Sequence, residues 1–178
     1  NDRWKATEQM QRTYEIRKFI SRFLKSSDRP DVRPDDIVVD AFGDSPALRD
    51  ELIELVLAGT KTATCTDLWS WEEEQDNPIE PGMLTLALDG SGRPRCIIET
   101  VKVEQTTYEH VTADFARAEG EHDPPDLPDD LVLENWRTYH WAYYSRVLPA
   151  IGRVPALDMP VLCEHFKVVY SEEMPPRS

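Results

Sequence analysis

Cysteine is scarce in this sequence, with three residues at positions 65, 96 and 163 of 178. The number is odd and no Cys-x-x-Cys pair occurs, so the sequence does not predict a disulfide framework. No Cys/His cluster has the spacing of a zinc site. We therefore expect reduced, buried thiols. Nothing near Cys65 marks it as an activated nucleophile.

Long apolar runs are also missing. None approaches the roughly 20 residues that a membrane-spanning helix needs. The first 20 residues are charged throughout and contain no apolar core of a secretory signal. The sequence therefore predicts a cytoplasmic protein without a membrane partner.

Positive charge is in short supply, because 20 Lys and Arg residues face 34 Asp and Glu residues, for a net charge of −14. Affinity for long nucleic acids comes mostly from basic side chains that neutralise phosphates, and a chain of this charge repels a polyanion at long range. The composition therefore argues against long double-stranded DNA as a partner. An RNA ligand would need a local basic cleft, whereas a nucleoside or nucleotide would not.

What the sequence does contain is a mixture of helical and strand-like periodicity. The helices are too few to cover both faces of a parallel sheet, so we expect an α+β fold with a small barrel or curled mixed sheet and flanking helices. The predicted elements are a helix over 1–25, a strand over 37–42, a helix from Pro46 that Gly59 ends, a strand in "KTATCTDLW", strands over 83–88 and 94–104, a short helix in "TADFARAEGE", a helix over roughly 130–148 and a final strand in "PVLCEHFKVVY".

The predicted domain organisation has three parts. A Pro- and Asp-rich segment, "SSDRPDVRPDD", separates the first helix from the rest of the chain. We therefore expect an N-terminal helical extension and linker over 1–36, one domain over 37–172 and a tail over 173–178.

Five separate motifs resemble the ASCH domain family, and they occur in the order of the family. The motifs are "VLAGTKTAT", "PGMLTLALDGSGRPRCIIETVKVE", "FARAEGEHD", "NWRTYHWAYYSR" and "MPVLCEHFKVVY", within about residues 40–170. The resemblance implies a PUA-like β-barrel, a fold related to RNA-binding and RNA-modifying modules. It also implies two candidate activities: small members remove the acetyl group of N4-acetylcytidine, and longer members include ribonucleases that act on single-stranded RNA with divalent metal. The long aromatic helix is similar to that of the longer members.

By this resemblance Lys61, Thr64 and Glu121 match the catalytic Lys, Thr and Glu of the small amidohydrolases. The match ends after Thr64, because Thr66 and Asp67 stand where those proteins have an arginine–aspartate pair. The three residue types suit amide hydrolysis: a lysine can stabilise an oxyanion or activate a threonine hydroxyl, and a glutamate can carry a proton to the leaving amine.

Strand geometry limits this assignment. In a regular strand Lys61 and Thr64 have opposite parity, so they converge only if Lys61 lies on the turn after Gly59. The alternative is that Lys61 is a cation near a helix C-terminus and that the threonines are ordinary strand residues. For an enzyme, we expect Lys61→Ala to abolish turnover and to leave thermal stability nearly unchanged.

Two acids flank a glycine in "AEGE", and Asp123 follows. Glu119, Glu121 and Asp123 could together hold Mg²⁺ or Mn²⁺, or they could form a solvated acidic loop. The sequence assigns no metal ligand and no certain cofactor.

Aromatic and charged residues elsewhere are candidates for substrate binding. Arginines can reach a phosphate, and aromatic rings can stack on a base. The alternatives are core packing for the tryptophan and the histidine, and solvent exposure or an ion pair for the glutamate at position 99. The substrate-binding candidates are Trp69, Glu99, Glu119, Arg137, His140, Tyr144 and Arg146.

Two classes of function remain open. The first is a hydrolase that acts on RNA or a nucleoside, with a ribonuclease on single-stranded RNA as the first choice and an N4-acetylcytidine-type amidohydrolase as the alternative. The second is a non-catalytic module that binds RNA or a nucleotide. The sequence leaves open whether a substrate is turned over, which nucleobase is bound and which oligomer forms.

Overall fold

A computed structural model describes residues 2–74, 78–121 and 123–172. The predicted tail, residues 173–178, lies outside the described residues. Short 3-10 turns cover Pro34–Asp36, Tyr108–His110 and Leu148–Ile151. The helices are α1 (Asp2–Ser26), α2 (Pro46–Leu57), α3 (Leu68–Glu74), α4 (Ala113–Glu119) and α5 (Asp129–Val147), and the strands are β1 (Ile37–Asp40), β2 (Ala63–Asp67), β3 (Leu84–Leu88), β4 (Pro94–Thr107) and β5 (Pro160–Ser171).

The strands form one mixed sheet in the order β1-β3-β4-β5-β2. β1 pairs with β3 in parallel, whereas β3 with β4 and β2 with β5 are antiparallel. The α+β class is thus confirmed. The sheet is not closed among the described residues, so the barrel that the sequence predicted is an open sheet here.

The chain divides into two compact units. Unit 1 comprises Asn1–Leu57, Met83–Glu99 and Val168–Ser178. Its core joins one face of α1 to strand residues, because the helix repeats apolar side chains every three or four positions. The buried residues of this core are Phe19, Ile20, Phe23, Ile37, Leu84, Leu86 and Ile97. The domain boundaries drawn from the sequence, at 36/37 and 172/173, remain predictions.

Unit 2 comprises Ala58–Gly82 and Thr100–Lys167. Its core packs α4 and α5 against β2 and the first half of β5. Helix α5 contributes Val132, Trp136 and Tyr144, which recur at multiples of four residues and so share one face. Ala63 and Cys163 supply the strand side of this core. All the close contacts of the candidate site lie within unit 2.

One predicted strand was too long. The sequence alternates as far as Trp69, but β2 ends at Asp67 and α3 begins at Leu68. The reason is a helix cap: Asp67 Oδ1 accepts a hydrogen bond from the backbone N–H of Ser70 at 2.7 Å. The other elements match their predicted ranges to within a few residues.

Candidate functional site

The site is built around the C-terminus of α4. Thr112 caps the start of this helix, where its hydroxyl accepts from Phe115 N–H at 3.3 Å, and Gly120 ends it in the left-handed conformation at φ 62°. A Cβ at Gly120 would lie 2.2 Å from the carbonyl oxygen of Thr60. Only glycine therefore fits between Glu119 and Glu121 at this close approach.

A backbone hydrogen bond holds the segment before β2 against this helix end. Thr62 N–H donates to the carbonyl of Ala118 at 2.8 Å. The bond places Lys61, which is 1% exposed, with its Nζ 2.6 Å from Glu121 Oε1. The Glu121 side chain is 16% exposed to solvent. The turn before β2 thus carries a buried lysine whose partner reaches solvent.

A second ion pair lies beside the first. Glu119 is 1% exposed, and its Oε2 lies 2.8 Å from His140 Nε2 on α5. The angles at both oxygens of Glu119 and at the buried Trp136 Nε1 depart from ideal hydrogen-bond geometry, but His140 and Trp136 are still the hydrogen-bond donors next to this carboxylate and lower its pKa. The imidazole of His140 stacks on the Trp136 ring at 4.1 Å between centroids.

The surroundings of His140 favour its charged form. Its Nδ1 lies 2.9 Å from the carbonyl oxygen of Trp136 and its Nε2 faces the carboxylate of Glu119. Because both partners are acceptors, both ring nitrogens have to carry a proton. Burial is the largest single cause and lowers the pKa of His140, but the charge of Glu119, the short contact with it and the charge of Glu121 together outweigh burial, so the net pKa is raised.

The same balance acts on the carboxylate. Burial raises the pKa of Glu119, whereas the charges of His140 and Lys61 lower it. The lowering causes together outweigh burial, so the net pKa is below its ordinary value. Acidic groups at a helix C-terminus are disfavoured by the helix dipole. The two neighbouring cations therefore stabilise a pair of carboxylates that the end of α4 alone would repel.

A small cleft opens onto these groups. Its enclosed space is about 10 Å³, which is room for about one water molecule. Tyr139, half-exposed, forms part of its wall, and Asp123 is held by Asn135 Nδ2 at 2.7 Å. No arginine or lysine is among its lining residues in the described part of the chain. The lining residues are Ala116, Glu119, Glu121, Asp123, Trp136, Tyr139 and His140.

Thr64 is not brought to this cleft by the strand. Its neighbours Ala63 and Cys65 both pack on the core beneath α4 and α5, and successive side chains of a strand point to opposite faces. Thr64 is instead the cross-strand partner of Glu164, whose Oε1 accepts from Thr100 Oγ1 at 2.6 Å. Lys61 and Glu121 therefore meet, whereas Thr64 points to the other face of the sheet.

Tyr144 lies deep in the core. Its hydroxyl donates to Cys65 Sγ at 3.4 Å. Burial is the main cause that raises the pKa of both Tyr144 and Cys65 well above their ordinary values. Cys65 is therefore a neutral thiol, in agreement with the prediction that it is not activated.

The predicted arginine ligands lie on exposed positions of α5. Arg137 donates from Nη2 to the carbonyl of Glu109 at 3.2 Å. The Arg146 guanidinium lies over the ring of Tyr143, 5.7 Å from its centroid. Neither arginine is among the residues that line the cleft.

The remaining two candidates make contacts of their own. In unit 2, the guanidinium of Arg153 covers Trp69 at 4.4 Å. In unit 1, the carboxylate of Glu99 accepts two hydrogen bonds from Arg29, at 3.0 and 3.2 Å. Trp69 and Glu99 therefore each make a contact with an arginine that a residue with only a structural role could also make.

Tyr139 and Asn135 were not predicted from the sequence. A signal for Tyr139 was present, because Trp136, Tyr139 and His140 are spaced i, i+3 and i+4 and so share one side of a helix. Asn135 had no comparable signal, since its partner Asp123 lies in a loop.

The divalent cation that the resemblance implied can be compared with these residues. One donor atom each from Glu119, Glu121 and His140 lies within 4.8 Å of the others. The buried oxygens of Glu119 are polar atoms whose contacts depart from ideal hydrogen-bond geometry. The residues therefore fit a cation, with His140 in the place where the sequence suggested Asp123.

The comparisons with known proteins agree with this architecture. The model of the ASCH domain family matches residues 38–170. The chain belongs to the ASCH domain family. Proteins of this family are generally associated with RNA binding. A search of curated proteins gives no significant match.

Two crystal structures are similar over most of the chain. Protein EF3133 from Enterococcus faecalis V583 is 30% identical with a TM-score of 0.75, over 88% of this chain and 89% of that one. An ASCH domain from Lactobacillus crispatus JV V101 is 28% identical with a TM-score of 0.75, over 88% of this chain and 95% of that one. No helix in the described residues combines the length and apolarity that crossing a membrane requires.

Proposed function

We propose that this ASCH-domain protein is a hydrolase that acts on a small, RNA-derived substrate with an amide bond, such as an acylated nucleoside. The observation that carries the proposal is the convergence of two ion pairs, Lys61–Glu121 and His140–Glu119, at one small cleft. Two acids of different exposure and two cations supply a base, a proton donor and positive charge for an oxyanion.

In this proposal water is the nucleophile. Glu121, the more exposed of the two acids, takes a proton from a water molecule as its oxygen attacks the amide carbon. The charged imidazole of His140, which lines the cleft, stabilises the resulting negative oxygen, whereas the buried Lys61 acts through its ion pair with Glu121. When the carbon–nitrogen bond breaks, Glu121 gives the proton that it took from water to the departing amine. The products are a carboxylic acid and an amine, and Glu121 is ionised again. Thr64 has no role in this scheme.

Glu119 acts as a positioning residue. Its buried carboxylate keeps His140 charged before the reaction, in the way that an acid orients a histidine in hydrolytic triads. The Trp136 ring below His140 adds a cation–π contact. Tyr139 offers the exposed aromatic wall on which a nucleobase can stack.

The cleft gives less support to a ribonuclease on single-stranded RNA, the first choice from the sequence. A phosphodiester carries charge, and binding it normally takes arginine or lysine side chains. Such residues are missing from the cleft lining in the described part of the chain. A neutral acylated nucleoside needs none.

An assay of the purified protein on N4-acetylcytidine and on a single-stranded RNA oligonucleotide, with and without Mn²⁺, tests the proposal. We expect acetate release from the nucleoside, and a fall in kcat of about 100-fold or more in Glu121→Gln. The matched control is Glu109→Gln, an exposed acid, which should keep the wild-type rate. RNA cleavage alone would support the ribonuclease instead. Nucleoside binding without turnover would support the non-catalytic module and reject hydrolysis.

A further inference from the structure

Two of the three cysteines face each other across one strand pair of unit 2. In the antiparallel pair of β2 and β5, Cys65 lies directly opposite Cys163. Directly opposed residues of two strands point to the same face of the sheet, and both cysteines pack in the core of unit 2. All three cysteines are reduced in the structure. The sheet therefore brings together two thiols that are far apart in the sequence.

The hydrogen bonds of the ladder indicate how close these two residues are. Phe166 N–H donates to the carbonyl of Thr62 at 3.0 Å, which makes Thr62 and Phe166 a hydrogen-bonded pair. Hydrogen-bonded and non-hydrogen-bonded pairs alternate along an antiparallel ladder. Cys65 and Cys163 lie three steps further along the same register, so they form a non-hydrogen-bonded pair. In such a pair the Cα atoms are about 4.5 Å apart and the side chains are at their closest.

We propose that Cys65 and Cys163 are an oxidation site, at which a hydroperoxide such as hydrogen peroxide forms an intrachain disulfide. A disulfide needs Cα atoms about 4.4–6.8 Å apart, and the spacing of a non-hydrogen-bonded pair lies within this range. The two thiols are neighbours already, because Cys163 is a hydrogen-bond partner of Cys65. Only a rotation of the side chains is needed to join the sulfurs.

Cys65 is the thiol that reacts first. It is half-buried, whereas Cys163 is 5% exposed, and its sulfur accepts from Tyr144 O–H at 3.4 Å. The sulfur attacks one oxygen of the peroxide, so an S–O bond forms, the O–O bond breaks and one water leaves. Cys163 then attacks the sulfur of this sulfenic acid, the S–S bond forms and a second water leaves. The two thiols lose two electrons and two protons, and the peroxide takes up both.

The surroundings of the pair make the first step the slow one. Burial is the main cause that raises the pKa of Cys65, so little of the reactive thiolate is present at neutral pH. The second step is intramolecular between groups that are already adjacent. We therefore expect a slow reaction that becomes faster as the pH rises, without accumulation of sulfenic acid.

The disulfide would fasten one edge of the sheet. Strand β2 is the last in the order β1-β3-β4-β5-β2 and pairs with β5. Lys61 lies two residues before this strand. A disulfide from β2 to β5 would oppose the opening of this edge, and it would restrict the unfolded chain through a long loop. Oxidation should therefore stabilise the fold.

Peptide mapping of the full chain by mass spectrometry tests the inference. The reduced protein is treated with hydrogen peroxide at about pH 8, the remaining thiols are blocked with N-ethylmaleimide in urea, and the protein is digested without reductant. We expect a linked peptide pair that contains Cys65 and Cys163, with Cys96 recovered in the blocked form. The link should raise Tm by about 5 °C or more, and dithiothreitol should reverse both changes.

The matched control is Cys96→Ala, which removes a buried cysteine of unit 1 and should form the link at the wild-type rate. Cys65→Ala should form no link. The chain unfolded in urea before oxidation gives a further control, because loop closure there favours Cys65 and Cys96, the two cysteines nearest in the sequence.

Three results would overturn the inference: a link in the native protein that involves Cys96 or a second chain, oxidation to sulfinic acid without a link, or intact thiols after the unfolded chain has lost its own. The decisive measurement is made on the wild type, so poor folding of a variant cannot decide it. Turnover is not measured, so failure of the proposed hydrolysis would leave this result unaffected.

Discussion

Replacement of Lys61 by methionine removes the buried ammonium while it keeps most of the side-chain volume. Lys61 is 1% exposed and lies 2.6 Å from Glu121 Oε1. Removal of one partner of a buried ion pair costs about 3–5 kcal/mol, because the other charge is left without compensation. Glu121 retains 16% exposure, so water can solvate it in part and we expect about 3 kcal/mol.

In a chain of this length, 1 kcal/mol corresponds to about 2–4 °C in Tm, so Lys61→Met should melt about 6–12 °C below the wild type. Circular dichroism on heating and urea titration at pH 7 measure the difference. The matched control is Lys102→Met, because Lys102 lies 3.0 Å from Glu104 with both side chains more than half exposed. It should change the free energy of unfolding by no more than about 0.5 kcal/mol.

Equally small changes in the free energy of unfolding of Lys61→Met and Lys102→Met would refute the argument, because the buried Lys61–Glu121 pair would then contribute no more to stability than an exposed pair. The double variant Lys61→Met/Glu121→Leu gives a second check. Since it removes both charges, it should regain most of the lost stability. The burial of Lys61 also changes the expectation drawn from the sequence, that Lys61→Ala would leave thermal stability nearly unchanged. The structure predicts a clear loss.

Two further predictions concern the same site. The raised pKa of His140 stabilises the fold at pH values below 6.5, its ordinary pKa, and this stability is lost as the pH rises through the raised pKa. The lowered pKa of Glu119 stabilises the fold at pH values above 4.5, its ordinary pKa, and this stability is lost as the pH falls through the lowered pKa. The wild type should therefore exceed Glu119→Gln/His140→Gln most between pH 4.5 and 6.5 in urea titrations, and an advantage that grows above pH 8 would contradict this. Gly120→Ala should cost several kcal/mol, about 1 from the left-handed backbone and the rest from the 2.2 Å approach to Thr60. Gly152→Ala, at φ 71° with no atom within 4 Å of its added Cβ, should lose only the backbone part; equal losses in the two variants would refute the steric argument.

Most of the fold could be predicted from local patterns. Helix α5 follows from its apolar repeat, and the end of α4 follows from Gly120. Helix α3 was missed because the alternation of β2 continues through Leu68 and Trp69. The competing signal was Asp67, a residue that caps helices well.

The candidate site could be predicted only in part. Lys61, Glu119, Glu121 and His140 were all named, since each is a reactive type in a motif. Their pairing could not be predicted, because Lys61 meets a residue 60 positions away and such long-range contacts leave no local pattern. Strand parity did anticipate that Thr64 points away from Lys61. The openness of the sheet also had no local signal, since closure depends on strand tilt and stagger.

The contact between Gly120 and Thr60 has a consequence for redesign of the cleft. The main-chain hydrogen bond from Thr62 N–H to the carbonyl of Ala118 fixes the backbone positions of Glu119 and Glu121. Main-chain bonds do not depend on side-chain identity, so a library that varies Tyr139 can reshape the wall for other ligands while the charged groups keep their places. Position 120 is the one to leave untouched in such a library.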